Sequence, residues 1–181
     1  MSFNLCVSMF RNGEEIPHCE TDEEWIAAAR NQQPAWCSCD GNLNNDNEYG
    51  RLYNWFAVTD SRGLVPTGCL MMDHDNLLNF VRSDAEIKLP GIRTVDLIRV
   101  VSTNKEMNDR VEFLRLDLVG YWWLPKEYPK YQRLKADMAY RSTQIPTVLN
   151  SGISFAEKGN GLSVRCCAAP SWDEKLKRIF R

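Results

Sequence analysis

Turn-forming residues divide this sequence into short segments, and their spacing limits the fold more than any other feature. Pro34 ends the first helical pattern, residues 37–50 are rich in Asn, Asp and Gly, and residues 124–150 contain three prolines without a sustained hydrophobic period. Such residues favour turns and interrupt helices. No apolar run approaches the ~18 residues of a membrane-spanning helix. The pattern therefore predicts an α+β domain of many short elements and excludes an integral membrane protein.

Two segments carry the signals of short helices. Thr21 and Glu24 form a capping box, in which each side chain accepts a hydrogen bond from the backbone of the other, and Trp25 begins the apolar face that follows. Asp73 or Asp75 is expected to cap the second helix. The apolar side of that helix consists of Leu77, Leu78 and Val81.

Runs of aromatic and β-branched residues predict strands at several places. Arg51–Val58 is expected to be a buried strand, and Val111–Val119 alternates leucines with charged residues, as a half-buried strand does. Val95–Val101 and Ser163–Cys167 are further predicted strands, and residues 124–150 are expected to form loops and short strands.

Size and charge narrow the class of protein. The chain has 181 residues and a mass of 20.9 kDa, which suits one domain. Its net charge of −2 divides unevenly, since residues 1–120 carry 11 basic and 19 acidic residues, and residues 121–181 carry 11 and 5. No cluster of Lys and Arg is dense enough to bind phosphates along a nucleic acid, so we expect no nucleic-acid partner.

The seven cysteines are an odd set, and residues 1–10 lack the basic region of an export leader. We therefore expect reduced thiols in a protein without a secretory signal that is cytoplasmic or assembled into a virion. Cys37 and Cys39 could give two thiolates to zinc, but no second pair completes a tetrahedral site. The adjacent Cys166 and Cys167 are expected to point to opposite faces of a strand.

Catalytic signatures are weak. His18 and His74 lie far apart in the sequence, and capping explains why Asp73 and Asp75 flank His74. The sequence has no nucleophile elbow, phosphate-binding glycine loop or zinc-protease motif. We therefore predict no catalytic residue, no metal site and no cofactor.

Four segments in this order resemble the FISUMP domain, the major paralogous domain named from Fibrobacter and found in Bacteroidetes and phages. They are Pro34–Cys37, Tyr49–Val58 with Asp60–Leu64, Gly120–Trp123 and Gly161–Cys166. The resemblance extends from about Asn12 to Cys167. Arg51 and Arg165 lie within its motifs, and we expect them to have a structural role as hydrogen-bond donors to loop carbonyls.

The FISUMP family is similar to C-type lectin-like domains, which include the variable proteins of diversity-generating retroelements. The resemblance implies a C-type lectin-like fold over residues 1–168, with two short helices, small antiparallel sheets joining the termini, and an irregular second half that displays a ligand face. Residues 169–181 are expected to be an amphipathic helical tail that docks on the domain or holds a partner chain.

Tyrosines and basic residues concentrate where the resemblance places the ligand face. Tyr and Arg are enriched at recognition surfaces, because Tyr offers a large rigid contact area and Arg a planar set of donors. One of the consecutive Trp122 and Trp123 is expected to fill the core while the other forms the floor of this face. The predicted ligand-binding residues are Tyr121, Trp123, Lys126, Tyr128, Tyr131, Gln132, Arg133, Tyr140 and Arg141.

The sequence therefore favours a non-enzymatic module that binds a protein or glycan on a cell surface, such as a phage receptor-binding component or a retroelement-diversified protein. Two alternatives stay open. One is a cysteine-dependent enzyme related to the formylglycine-generating group. The other is a structural assembly protein that forms a homo-oligomer or meets a virion partner through residues 172–181.

Overall fold

Short helices and small antiparallel sheets form the fold, which is an α+β arrangement. The computed structural model describes residues 2–83, 88–96, 110–114, 116–127, 135–142 and 150–169. Within them the helices are α1 (Asp22–Arg30), α2 (Asp46–Tyr49), α3 (Trp55–Val58) and α4 (His74–Ser83). The strands are β1 (Ser2–Asn4), β2 (Trp36–Ser38), β3 (Arg51–Tyr53), β4 (Cys69–Met71), β5 (Ile92–Asp96), β6 (Arg110–Leu114), β7 (Val119–Glu127), β8 (Lys135–Ser142), β9 (Asn150–Glu157) and β10 (Arg165–Ala168).

The two helices that the sequence predicted are present, and side chains start both of them. At α1, the Thr21 hydroxyl accepts from the Glu24 amide at 3.2 Å, and the Glu24 carboxylate accepts from the Thr21 amide at 3.1 Å. At α4, the Asp73 carboxylate accepts from the Asn76 amide at 2.9 Å, and Leu77 is fully buried. The side chains of Leu78 and Val81 lie outside the described ones.

The predicted strand Arg51–Val58 is wrong in its second half. The strand β3 ends at Tyr53, and α3 begins at Trp55. The intervening Asn54 causes the change, because its side-chain oxygen accepts from the Ala57 amide at 3.0 Å and caps the helix. The expected loop 37–50 likewise contains the one-turn helix α2.

Four small antiparallel sheets appear in the described residues, with strand orders β1-β10-β4, β2-β3, β5-β6 and β7-β8-β9. The first and last described strands are neighbours, since Phe3 pairs with Cys166. This pairing confirms the expected sheet that joins the two ends. The expected tail at 169–181 lies outside the described residues beyond Ala169.

The irregular second half is the clearest correction. The described residues between 119 and 157 form three consecutive antiparallel strands, β7, β8 and β9. Pro125 is accommodated because the register shifts between Trp123 and Glu127, and a proline cannot donate to a strand ladder. The predicted Val111–Val119 strand is also interrupted, because Asp117 adopts a positive φ of 60° in a turn.

The sheet β7-β8-β9 is covered on both faces. On one face, Trp122 packs with Leu77 of α4 and with Leu124. On the other face, Trp123 packs with Trp55, and their ring centres lie 5.3 Å apart. Consecutive strand residues point in opposite directions, so this double cover buries both tryptophans.

An extended segment, Gly161–Val164, joins separate parts of the chain. Gly161 exchanges hydrogen bonds with Arg93 of β5, Leu162 exchanges them with Tyr53 of β3, and Ser163 bridges to β7. Val164 accepts from the Leu5 amide at 2.8 Å. We call Gly161–Val164 the central strand segment, because β3, β5, β7 and the first residues of the chain all bind to it.

The covered sheet leaves no room at Gly120. A Cβ added there would overlap the buried Trp122 indole, whereas a Cβ at Gly152 of the same sheet would lie 3.2 Å from the Tyr140 hydroxyl. We expect Gly120→Ala to lower the free energy of unfolding by about 1–3 kcal/mol, measured by urea denaturation. Gly152→Ala is the control, and equal losses in both variants would contradict this packing.

The capping box makes stability depend on pH. Hydrogen bonds from the amides of Thr21 and Glu20 lower the pKa of the Glu24 carboxyl. This contribution to stability is present above the unfolded-chain pKa of about 4.3 and is lost as the pH falls through the lower folded-state pKa. Glu24→Gln should therefore lose stability at neutral pH and show a flatter acid limb in urea denaturation. Glu23→Gln is the control, and an unchanged limb in Glu24→Gln would refute the linkage.

Candidate functional site

Two predicted site residues, Tyr121 and Tyr140, face each other across β7 and β8. They are directly opposite in the strand register, and both are half-buried. Tyr140 also pairs with Gly152 of β9, which has no side chain to displace the phenol ring above it. The Tyr140 ring therefore lies over Gly152, and we call Tyr121 and Tyr140, which share one face of the sheet at opposite positions, the Tyr121–Tyr140 row.

A groove of about 290 Å³ adjoins this row, between the β5–β6 pair and the sheet β7-β8-β9. Tyr121 and Met138 contribute its sheet side, and Ile92 and Leu114 contribute the opposite side. Thr94, Glu157 and Asn160 add polar groups. The groove therefore offers both apolar area and hydrogen-bonding groups beside the tyrosines. Sequence reasoning missed it because β5 and β9 are far apart in the sequence.

Two other predicted site residues, Arg141 and Lys126, lie towards opposite ends of the β7–β8 pair. Arg141 pairs with Gly120 at the end that holds Tyr121, whereas Lys126 lies six residues from Gly120, ~20 Å along an extended strand. The side chains of Arg141 and Lys126 are not among the described ones. Four predicted residues fall outside the described residues altogether: Tyr128, Tyr131, Gln132 and Arg133.

Trp123 is a core residue. Its side chain is fully buried, and its indole nitrogen donates to the Tyr53 carbonyl at 2.7 Å. Trp122 is equally buried and donates to the Asn4 side chain at 3.0 Å. The expectation that one of them forms the floor of a surface is corrected, because the sheet is covered on both faces here.

Arg51 and Arg165 both bind side chains of the fold, which agrees with a structural role. Arg51 forms an ion pair with the Asp46 carboxylate at 2.7 Å, and its guanidinium lies 3.7 Å from the centre of the Trp36 ring. Arg165 donates to the Asn4 side-chain oxygen at 3.0 Å. Arg165 therefore fixes the Asn4 side chain of the first strand, and Arg51 joins Asp46 to Trp36.

Tyr53 and Asn54 of the Tyr49–Val58 segment also have structural roles. The Tyr53 hydroxyl accepts from the Val7 amide at 2.7 Å and donates to the Val7 carbonyl at 2.8 Å. Asn54 binds the Ala35 amide and the Gln33 carbonyl in addition to capping α3. These bonds explain the residue types of this segment without a ligand.

All seven cysteines are free thiols, and four of them are buried. Burial raises the pKa of Cys19 to about 11 and the pKa values of Cys37 and Cys166 to about 12. Burial also raises the pKa of Cys39. A thiol is nucleophilic only when deprotonated, so these four are poorly suited to catalysis near neutral pH. As expected for adjacent strand residues, Cys166 is buried while Cys167 is partly exposed.

The histidines are separate in the structure as well. His18 stacks on Trp36 with ring centres 3.9 Å apart, and its Nδ1 lies 3.3 Å from the Glu20 carboxylate. His74 is exposed beside Asp75 at the start of α4. In the part of the chain that the structure describes, no group of three or more His, Cys, Asp or Glu side chains converges as a metal site would require.

Residues 1–75 match the family model of the Fibrobacter succinogenes major domain. The match includes the segments Pro34–Cys37 and Tyr49–Val58, whereas Gly120–Trp123 and Gly161–Cys166 lie beyond it. Comparisons with curated proteins and with solved structures gave no match. The similarity to this family therefore covers the first part of the chain, which carries α1 and the β2–β3 pair.

The described helices include no candidate for a membrane span. Across the described ranges, every helix falls short of the length and apolar character required to cross a bilayer.

Thiol accessibility tests the electrostatic description of the cysteines. We expect Cys6, Cys69 and Cys167 to react with a disulfide reagent at pH 8 in the native protein, because they are exposed or partly exposed. The four buried thiols should react only after unfolding, since their raised pKa values keep them protonated. Cys6→Ser is the control and should remove one equivalent of the native reaction. Rapid native labelling of Cys37 or Cys166, located by mass spectrometry, would contradict the assignment.

Proposed function

We propose that this chain is a non-enzymatic ligand-binding module that recognises a protein or glycan. The Tyr121–Tyr140 row is the centre of its binding face, and the adjoining groove extends it. The proposal keeps the basic and tyrosine-rich stretch 121–141 as the recognition region.

The single observation that carries the proposal is the position of this row. Two half-buried tyrosines lie opposite each other on neighbouring strands, next to a groove with apolar walls and polar groups. Partly exposed aromatic rings on a rigid sheet bind with a small loss of conformational entropy. Strands beneath the rings are fixed by the buried Trp122 and Trp123, so the face is organised before a ligand arrives.

The family relationship supports a scaffold of this kind. Similarity to FISUMP domains suggests a C-type lectin-like fold, and the pairing of β1 with β10 agrees with that arrangement. A phage receptor-binding component or a retroelement-diversified protein would use such a scaffold to present a variable surface. We propose the C-type lectin-like fold and these biological settings together with the binding function.

A cysteine-dependent enzyme is the weaker candidate. The raised pKa values of Cys37 and Cys166 oppose thiolate formation, and His18 stacks on Trp36 instead of facing a thiol.

Binding arrays test the proposed face. Wild type, Tyr140→Ala and Tyr140→Phe are applied to glycan and protein arrays, and the best ligand is then titrated. Truncating a tyrosine at the centre of a binding face costs about 2 kcal/mol, so Tyr140→Ala should bind about 30-fold more weakly. Tyr140→Phe keeps the ring and should lose less. Circular dichroism establishes that each variant folds.

Phe3→Ala is the matched control, because Phe3 is an aromatic residue 41% exposed on the β1-β10-β4 sheet. It should bind like wild type. The triple variant Tyr128→Ala, Tyr131→Ala and Arg133→Ala tests predicted residues that lie outside the described ones. Unchanged binding in Tyr140→Ala with loss in the triple variant would move the site away from the Tyr121–Tyr140 row. Equal retention by all variants would refute the recognition region.

A further inference from the structure

The groove beside the Tyr121–Tyr140 row is bordered by two large apolar side chains that the fold leaves exposed. Leu114 on β6 is 38% exposed, and Phe155 on β9 is 37% exposed. Ile92 and Met138 add further apolar surface to the walls. An exposed apolar surface with polar groups at its edge is typical of a site where another molecule binds.

The turn after β9 that carries Asn160 is held rigidly at one side of the groove. The Asn160 amide donates to the Glu157 carbonyl at 2.9 Å, which closes the turn. The Trp25 indole donates to the Gly159 carbonyl at 3.0 Å. A Cβ at Gly159 would lie only 2.7 Å from the Val95 side chain, so the turn packs closely against β5. This side of the groove is therefore fixed before a ligand binds.

Asn160 is the residue that points to the chemistry of the ligand. It is only 9% exposed and lines the groove, and its Oδ1 accepts from the Val95 amide at 2.9 Å. Only an oxygen can accept from that amide, so Nδ2 is the group that faces away from β5. Nδ2 has no partner among the described residues, and it is open to the groove, unlike the enclosed hydroxyl of Ser38. A ligand with a carbonyl oxygen would supply the missing acceptor.

Charge and size narrow the ligand further. Among the described residues that line the groove, Glu157 alone is charged, so an anion is disfavoured and a neutral or basic group is favoured there. The volume of about 290 Å³ lies just below the ~300–1,000 Å³ of small-molecule sites, and it suits one large side chain with its peptide groups. A sugar would bury hydroxyls against Ile92, Leu114 and Met138, which cannot bind them.

We propose that the groove binds an extended segment of a partner protein through one large apolar side chain. This inference rests on the proposed function and selects protein over glycan as its ligand. The anchoring side chain would lie between Leu114 and Met138, and the neighbouring carbonyl oxygen would accept from Asn160 Nδ2. Residues next to the anchor would be neutral or basic. Apolar anchors in pockets of this kind carry much of the binding energy at protein interfaces.

N-acetylleucinamide is the probe, because it carries one apolar side chain between two peptide groups. It is titrated into the full chain and followed by protein NMR. We expect saturable binding in the millimolar range, as is usual for a ligand of this size, with signal changes at Leu114 and Tyr121. N-acetylglycinamide lacks the side chain and should bind about tenfold more weakly. Methyl glucoside represents glycans and should bind more weakly than N-acetylleucinamide.

Asn160→Asp tests the hydrogen bond. It keeps an acceptor for the Val95 amide and replaces the Nδ2 donor with an oxygen, so it should weaken N-acetylleucinamide binding about tenfold. Asn42→Asp is the matched control, because the Asn42 Oδ1 also accepts from a backbone amide, that of Asn44 at 3.0 Å, and the residue lies outside the groove. It introduces the same charge and should bind like wild type.

Leu114→Ala tests the apolar wall and should weaken the binding about fivefold. Leu70→Ala is its control, since Leu70 is a 50% exposed leucine that does not line the groove. Urea denaturation establishes that each variant folds, and Leu114→Ala decides the outcome if Asn160→Asp does not.

Absence of saturable N-acetylleucinamide binding would overturn the inference. Equal losses in Asn160→Asp and Asn42→Asp would also overturn it, as would tighter binding of methyl glucoside. The proposed function is tested separately, because Tyr140 does not line the groove. Array binding that is lost in Tyr140→Ala, in a protein that does not bind N-acetylleucinamide, would keep the binding module and refute only this partner.

Discussion

The central strand segment Gly161–Val164 is the constraint on which the other elements depend. Its backbone groups bind β5 through Arg93, β3 through Tyr53, and β7. It also binds the first residues of the chain through Leu5. Each sheet among the described residues has two or three strands, and such small sheets are barely stable alone. Their stability comes from being joined along one segment, where buried backbone groups find their partners.

The dense packing around Trp122 and Trp123 explains why the proposed binding sites lie at the edge of the core. Trp122 and Trp123 fill both faces beneath β7 and leave no cavity there for a ligand. Immediately before them in the same strand, Tyr121 is only half-buried and adjoins the groove beside β5. A similar division occurs at the cavity between residues 18–20, residues 37–44 and the β5–β6 pair, which opens beside the buried Arg93. Both the groove and this cavity therefore lie where the packing of the core ends.

Local signals predicted local structure well. The Thr21–Glu24 capping box depends on residues three apart, and it appears as expected. Asn54 was missed as a cap because the aromatic residues around it favour a strand, and its hydrogen bonds override that preference. The full length of strands β7 to β9 was missed because the three prolines in residues 124–150 favour loops and short strands.

Contacts between distant residues could not be predicted in the same way. Arg93 binds Cys19 across 74 positions in sequence, and no pattern around either residue signals that contact. The groove beside Tyr121 and the cavity beside Ser38 depend on such contacts, so only the tyrosines of the candidate sites were found from the sequence.

The position of the central strand segment also has a kinetic consequence. During synthesis, Leu5, Tyr53 and Arg93 leave the ribosome long before residues 161–164 can bind them. Native pairing must therefore wait for a late part of the chain, and the backbone groups of the earlier strands stay without these partners until then.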